Sequence, residues 1–173
     1  MRTHHGPGAP SCARVEQALY APRMSTDALS ARLHALEDER AILQTLYRYG
    51  HSMDYGPDAE FIDCFTPEGL WDVRMRTLSA GSFKCRGHRE IEASLAGQSA
   101  MRAPALYAKH LVMDPQIVQT GDEASVQSYF LRVEPRDAGP TQIVASGRYL
   151  DRMVRCEDGR WRFTERIAEI DDM

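Results

Sequence analysis

The chain has 173 residues, 43% of them hydrophobic and 27% charged, with a formal net charge of −4. That length supports one domain with a proper core, and the composition is ordinary for a globular protein. An acidic balance offers no footprint for nucleic acid and no apolar run reaches a membrane span. The four cysteines (Cys12, Cys64, Cys85, Cys156) lack zinc spacing and read as free thiols in a reducing cytoplasm.

Residues 1–24 are rich in Gly, Pro and Ala. They show no sustained period and read as a flexible leader. Met24 reads as a natural start, ahead of a domain over 25–173. From Ser25 the pattern is helical, with Ser25 or Thr26 as cap and Asp27 suited to the first turn. A stripe at spacings of three and four runs through Leu29, Leu33, Leu36, Leu43, Leu46, Tyr47 and Gly50. The charged run at 37–40 interrupts it, so one long helix and two meeting there both fit. Asp54 lies seven residues after Tyr47 and four after Gly50, which returns it to the same face. Gly56 and Pro57 end the helix. An acid so placed either caps the helix end or pairs with a group in the interior.

Residues 57–65 read as a second helix, with Phe61, Ile62 and Phe65 inward. Residues 69–76 set Trp71, Val73 and Met75 against Asp72, Arg74 and Arg76 in strict alternation, a strand. A turn at 77–82 leads to a returning strand at 83–87, then a short helix at 88–97 that buries Ile91 and Leu95. Four strands follow at 106–119, 124–135, 141–155 and 160–170, the first of them bent or bulged at Pro115. Hairpin connections make this sheet antiparallel. Helices first and a long sheet last is the α+β pattern. Trp161 and Phe163 are assigned to the core.

His110, Val112 and Asp114 share one strand face and Leu111 and Met113 the other. Both faces are partly apolar, so the strand does not fix its own orientation. A buried carboxylate needs a partner, because an unpaired charge in an apolar site is costly. If His110 faces Asp54, the acid sets the ring tautomer and stabilises the imidazolium. The other ring nitrogen is then available as general base or acid. His51, three residues before Asp54, allows a competing set of two His and one carboxylate for a metal. The dyad is preferred. His88 reads as a surface or capping residue and His34 as solvated.

The succession LEDERAILQTLYRYGHSMDYG, FTPEGLWDV, GHREI, KHLVMDPQIVQTGDEASVQSYF and RYLDRMVRCEDGRWRF resembles the SnoaL-like branch of the nuclear transport factor 2 (NTF2-like) superfamily. The resemblance covers about residues 30–168. Relatives in that branch include scytalone dehydratase, lindane dehydrochlorinase, bile acid 7α-dehydratase, polyketide cyclases and ketosteroid isomerases. The resemblance implies a curved antiparallel sheet wrapped by N-terminal helices into a cone around an apolar pocket. Asp54 and His110 match the positions of the Asp–His pair of the first three enzymes, with His110 as general base and Asp54 orienting it. Tyr49 matches a functional tyrosine of the bile acid enzyme. Met53 stands where scytalone dehydratase carries a tyrosine, so that contact is lost. Glu134 falls near that enzyme's second strand-borne histidine, and the resemblance implies this acid or Arg132 there, as proton donor or anion clamp.

The resemblance implies no cofactor and no metal. The pocket lining is expected from Tyr47, Met53, Trp71, Val73, Met75, Val112, Phe130, Arg132, Glu134 and Tyr149, with Ala145 and Gly147, around a small hydrophobic or aromatic substrate. The expected activity is a lyase of dehydratase or elimination type. Isomerisation or cyclisation by the same base is the alternative. A binding module or a protein like the small subunit of a dioxygenase is the reading from another class. A homo-oligomer is expected, with a trimer favoured over a dimer and with no nucleic acid or membrane as partner.

Overall fold

The computed structural model describes residues 25–76, 81–97 and 108–171. The expected leader, the turn residues 77–80 and the first residues of the strand placed at 106–119 lie outside them. The chain divides into two compact units, Met1–Glu37 and Asp38–Met173. In the first, the described residues open helix α1 (Thr26–Asp54). Ser25 Oγ accepts the Ala28 amide at 3.2 Å, so Ser25 is the cap. Leu29, Leu33 and Leu36 are exposed. The charged run at 37–40 does not break the helix.

The second unit holds the rest of α1, helix α2 (Asp58–Ile62), strands β1 (Phe65–Met75) and β2 (Phe83–Arg86), helix α3 (Gly87–Gly97), and strands β3 (Lys109–Thr120), β4 (Glu123–Glu134), β5 (Gln142–Arg155) and β6 (Trp161–Asp171). It is α+β, with helices packed on a six-stranded sheet of order β2-β1-β6-β5-β4-β3. All neighbours pair antiparallel except β1 and β6, which run parallel, so the sheet is mixed rather than wholly antiparallel. Hairpin reasoning could not foresee that pair, because its strands are almost a hundred residues apart and no turn joins them. Phe65 begins β1 rather than ending α2, and it is fully buried there. Among the described residues no helix is long and apolar enough to cross a membrane.

The inner face of α1 is Ile42, Thr45, Leu46, Tyr49, Gly50 and Met53, all buried at helical spacing. Thr45 Oγ donates to the Trp161 carbonyl at 2.7 Å and ties the helix to β6. The core joins these residues to Phe61, Phe65, Trp71, Val126, Phe130, Tyr149, Trp161 and Phe163. Near the middle of the same helix, Asp38 accepts from Gln119 on β3 and pairs with Arg155 on β5.

Irregularities on β3, β5 and β6 set which of their side chains face inward. At Asp114 and Pro115 the β3–β4 register shifts between Met113 and Gln116, and Asp114 takes φ 48°. The expected bulge at Pro115 is there. On β5, Val144 is skipped between Ile143 and Ala145. On β6, Thr164 is skipped between Phe163 and Glu165. A one-residue shift moves every later side chain to the other face. Phe163 is therefore inward, and after it Arg166 and Ala168 rather than Glu165 and Ile167.

Candidate active site

The last turn of α1 delivers Asp54, and the second residue of β3 delivers His110. Asp54 Oδ1 lies 2.5 Å from His110 Nδ1, and Asp54 Oδ2 accepts the His110 backbone N–H at 2.7 Å. One carboxylate thus grips both the ring and the backbone of one residue, so ring and helix end are held in register. An ionised carboxylate only accepts, so Nδ1 carries the proton and Nε2 is the basic nitrogen. The side chains of Asp54 and His110 are 7% and 18% exposed, which strengthens the interaction relative to water. The close approach depends on Gly50, one turn before Asp54. A Cβ there would meet the His110 carbonyl oxygen at 3.1 Å.

The interior also holds a group that the strand pattern does not reveal. Arg166 on β6 and Asp151 on β5 form a two-pronged ion pair, Nε to Oδ1 and Nη2 to Oδ2, both at 2.8 Å, with neither side chain exposed. The guanidinium lies 4.1 Å from the ring centres of Tyr49, Tyr149 and Phe163, within cation–π range. Burial works against its charge, but Asp151 outweighs this and holds Arg166 above its ordinary range. Its Nη1 is buried with no hydrogen-bond partner among the described residues. Asp151 shares the inward face of β5 with Tyr149 and Met153, a charge in phase with apolar residues. Arg166 shows no such signal, because the skipped Thr164 reverses the β6 alternation.

Tyr49 is fully buried in an aromatic cluster, 4.8 Å from Phe61 and 5.8 Å from Tyr149, ring centre to ring centre. Burial pushes its phenol up to about 12 against the pull of Arg166. Tyr149 is stacked 4.5 Å from Phe130. It too is raised, first by burial, with the charge of Asp54 among the further causes. Phe130, Tyr149, Trp71, Val73 and Met53 are buried, and Val112 and Met75 are half-buried. Trp71 packs against Phe61 at 5.0 Å and Phe83 at 4.8 Å, a place in the core. Arg132 stands opposite His110 in the β3–β4 register and forms an ion pair with Glu134.

Tyr47 departs from the expectation. It is 41% exposed, because it lies two residues from Tyr49, on the other side of α1. His51 is also exposed, and among the described residues no three His, Cys, Asp or Glu side chains gather as a metal site. His88 Nε2 lies 3.0 Å from the Phe65 carbonyl oxygen, a structural tie rather than a surface position. A cavity of about 430 Å³ bordered by Arg74, Tyr129, Arg148 and Glu169 opens on the sheet face opposite the dyad. Tyr129 alternates with the inward Ser128 and Phe130.

An α+β fold with a helix-end carboxylate clamped to a strand histidine over an aromatic interior defines an NTF2-like protein with a paired Asp–His site. The chain belongs to the SnoaL-like domain family, whose model matches residues 34–167. It is 35% identical over 78 residues to subunit beta 2 of the terminal oxygenase component of terephthalate 1,2-dioxygenase from Comamonas sp, covering 42% of this chain and 50% of that one. The chain thus spans about half the length of the curated relatives it matches. An NTF2-like protein with a cystatin-like fold from Novosphingobium aromaticivorans superposes with a TM-score of 0.69 at 21% identity, covering 86% of this chain and 91% of that one. ActVI-ORFA from Streptomyces coelicolor gives 0.65 at 18% identity, with 80% and 98% covered. At these identities the likeness is one of fold.

Proposed function

We propose that the protein is a cofactor-independent lyase of dehydratase or elimination type, acting on a small hydrophobic or aromatic molecule. The observation that carries this reading is the double grip of Asp54 on His110. His110 Nε2 takes a proton from a carbon next to a carbonyl or an aromatic system. The C–H electron pair becomes the new double bond, and the leaving group departs from the neighbouring carbon with its own pair. Asp54 stabilises the imidazolium formed on His110. On this reading Tyr49, which matches a functional tyrosine of the resembled enzyme, assists the leaving group as a neutral phenol. Isomerisation or aldol-type cyclisation would use the same base.

Asp54→Asn and His110→Ala test the reading on a panel of β-hydroxy carbonyl and phenolic substrates. Turnover by the parent, lost in both variants with circular dichroism unchanged, is the expected result. Parental rates in both variants would sink it.

A second reading has its own support, since the curated relatives are dioxygenase beta subunits. On that reading the protein is a non-catalytic subunit, and the outer sheet face (Leu111, Met113, Tyr129 and Ile143, all exposed) meets a partner. We favour the enzyme, because a scaffold gains nothing from a desolvated polar dyad. On the enzyme reading, a second copy of this chain covers that face.

A further inference from the structure

We propose that Arg132 is the substrate's anion anchor, so that the molecule presented to His110 carries a carboxylate. This rests on the dyad reading of the site and narrows its substrate class.

The two residues are direct neighbours. His110 and Arg132 are opposite partners in the β3–β4 ladder, a relation that puts their Cβ atoms about 5 Å apart on one face. That face is the inward one, since Phe130, two residues before Arg132, is buried against Tyr149. Arg132 is thus the cation beside the base, on a wall that is otherwise Val112, Phe130 and Ala145. Its side chain is 27% exposed, far less than that of a solvated surface arginine such as Arg152, 77% exposed. The skipped Val144 lies on β5 directly beside it, and bulges commonly re-aim side chains next to active sites.

The partner of Arg132 is Glu134, which shares its face of β4 and is 23% exposed. A guanidinium has five N–H donors in a fixed fork. The contact with Glu134 runs through Nη2, which leaves donors for a second carboxylate. Two-pronged recognition of a carboxylate is the chemistry for which arginine is suited over lysine. Glu134 then does two things. It holds Arg132 in place when no ligand is bound, and it competes with the ligand for the charge. A substrate carboxylate on Arg132 sets the neighbouring carbon over Nε2 of His110. A cation so close to that carbon also favours the enolate-like charge that follows proton removal.

The test is equilibrium binding, read by calorimetry, of phenylacetate against phenylacetamide, which is nearly the same shape but uncharged. The parent is expected to prefer phenylacetate by at least about tenfold, the size of one charge-assisted hydrogen bond. Arg132→Gln should abolish the preference, and Arg132→Lys should retain part of it. Glu134→Gln should tighten phenylacetate several-fold and leave phenylacetamide unchanged, because the competitor has lost its charge. Absence of phenylacetate binding, equal binding of the two probes by the parent, or a preference that survives Arg132→Gln overturns the proposal. So does a loss in Arg132→Gln that is equal for both probes and accompanied by a lower melting temperature, which marks a structural ion pair only. Binding needs no turnover, so Asp54→Asn should keep the preference. If the dyad fails as a catalyst the anchor still stands, and if the anchor fails the dyad is untouched.

Discussion

Asp54 makes its two bonds to a single residue, and that doubles the consequence of changing it. Asp54→Asn leaves one oxygen to accept and puts an amide N–H against a second donor. The Nδ1 proton then loses its acceptor, or the ring flips its tautomer and Nε2 ceases to be a base. Turnover should fall by about 10²–10⁴-fold, the span of general-base catalysis, and stability by about 1–2 kcal/mol for the unsatisfied donor. Steady-state rates and thermal melts separate the two effects. Tyr49 makes a different prediction. Burial raises its phenol from 10.0 to about 12, so the folded state holds this proton more tightly than the unfolded chain does. The contribution is complete below pH 10 and is lost as the pH rises towards 12. Tyr49→Phe should therefore flatten the loss of melting temperature on the alkaline side. If parent and variant decline with the same slope, the buried phenol is not the cause.

At the scale of elements, the site is where a helix end meets a strand start, and Gly50 sets the gap. Alanine there gains helix propensity of about 1 kcal/mol but places a methyl carbon 3.1 Å from the His110 carbonyl oxygen. That oxygen belongs to the backbone of His110, so relief comes by moving β3 away from α1. Gly50→Ala should melt close to the parent yet lose activity by about tenfold or more, since small displacements of a catalytic group are costly. A variant with full activity would show that the gap is not critical. Gly147 is tighter still, as a Cβ would lie 2.0 Å from the Glu169 carbonyl oxygen.

The elements also show what a sequence reveals. Spacing placed Leu46 and Gly50 on the inner face of α1, but it also put Leu29, Leu33, Leu36 and Tyr47 there, all exposed, and left out Ile42, Tyr49 and Met53. The bulge at Pro115 was legible, because a proline in a strand has few other uses. The parallel β1–β6 pair and the inward turn of Arg166 were not legible. Each depends on where a distant strand settles, and at Thr164 no Gly or Pro announces the skipped residue. Alternation read forward from Trp161 and Phe163 would have placed Glu165 inside. The buried ion pair beneath the aromatic cluster therefore emerged only with the register.

For the whole molecule, the question is what covers the outer sheet face. Leu111 pairs with Leu131, Met113 with Tyr129, and Val133 with Ile143. They form a continuous apolar ladder on strands whose opposite face carries His110 and Phe130. Exposed apolar surface of this kind marks an interface more often than not. Farther across the same face, Arg148 and Arg74 meet Glu169, so both signs of charge border the region, as a self-complementary surface requires. A second copy of the chain is the occupant this pattern suits. Sedimentation velocity should then give a mass that is a multiple of 19.5 kDa, three-fold for a trimer or two-fold for a dimer. Leu111→Asp combined with Tyr129→Asp should return it to a single chain with circular dichroism unchanged. A parent that sediments as a single chain removes the homo-oligomer and strengthens the subunit reading, because the apolar ladder would then await a different protein.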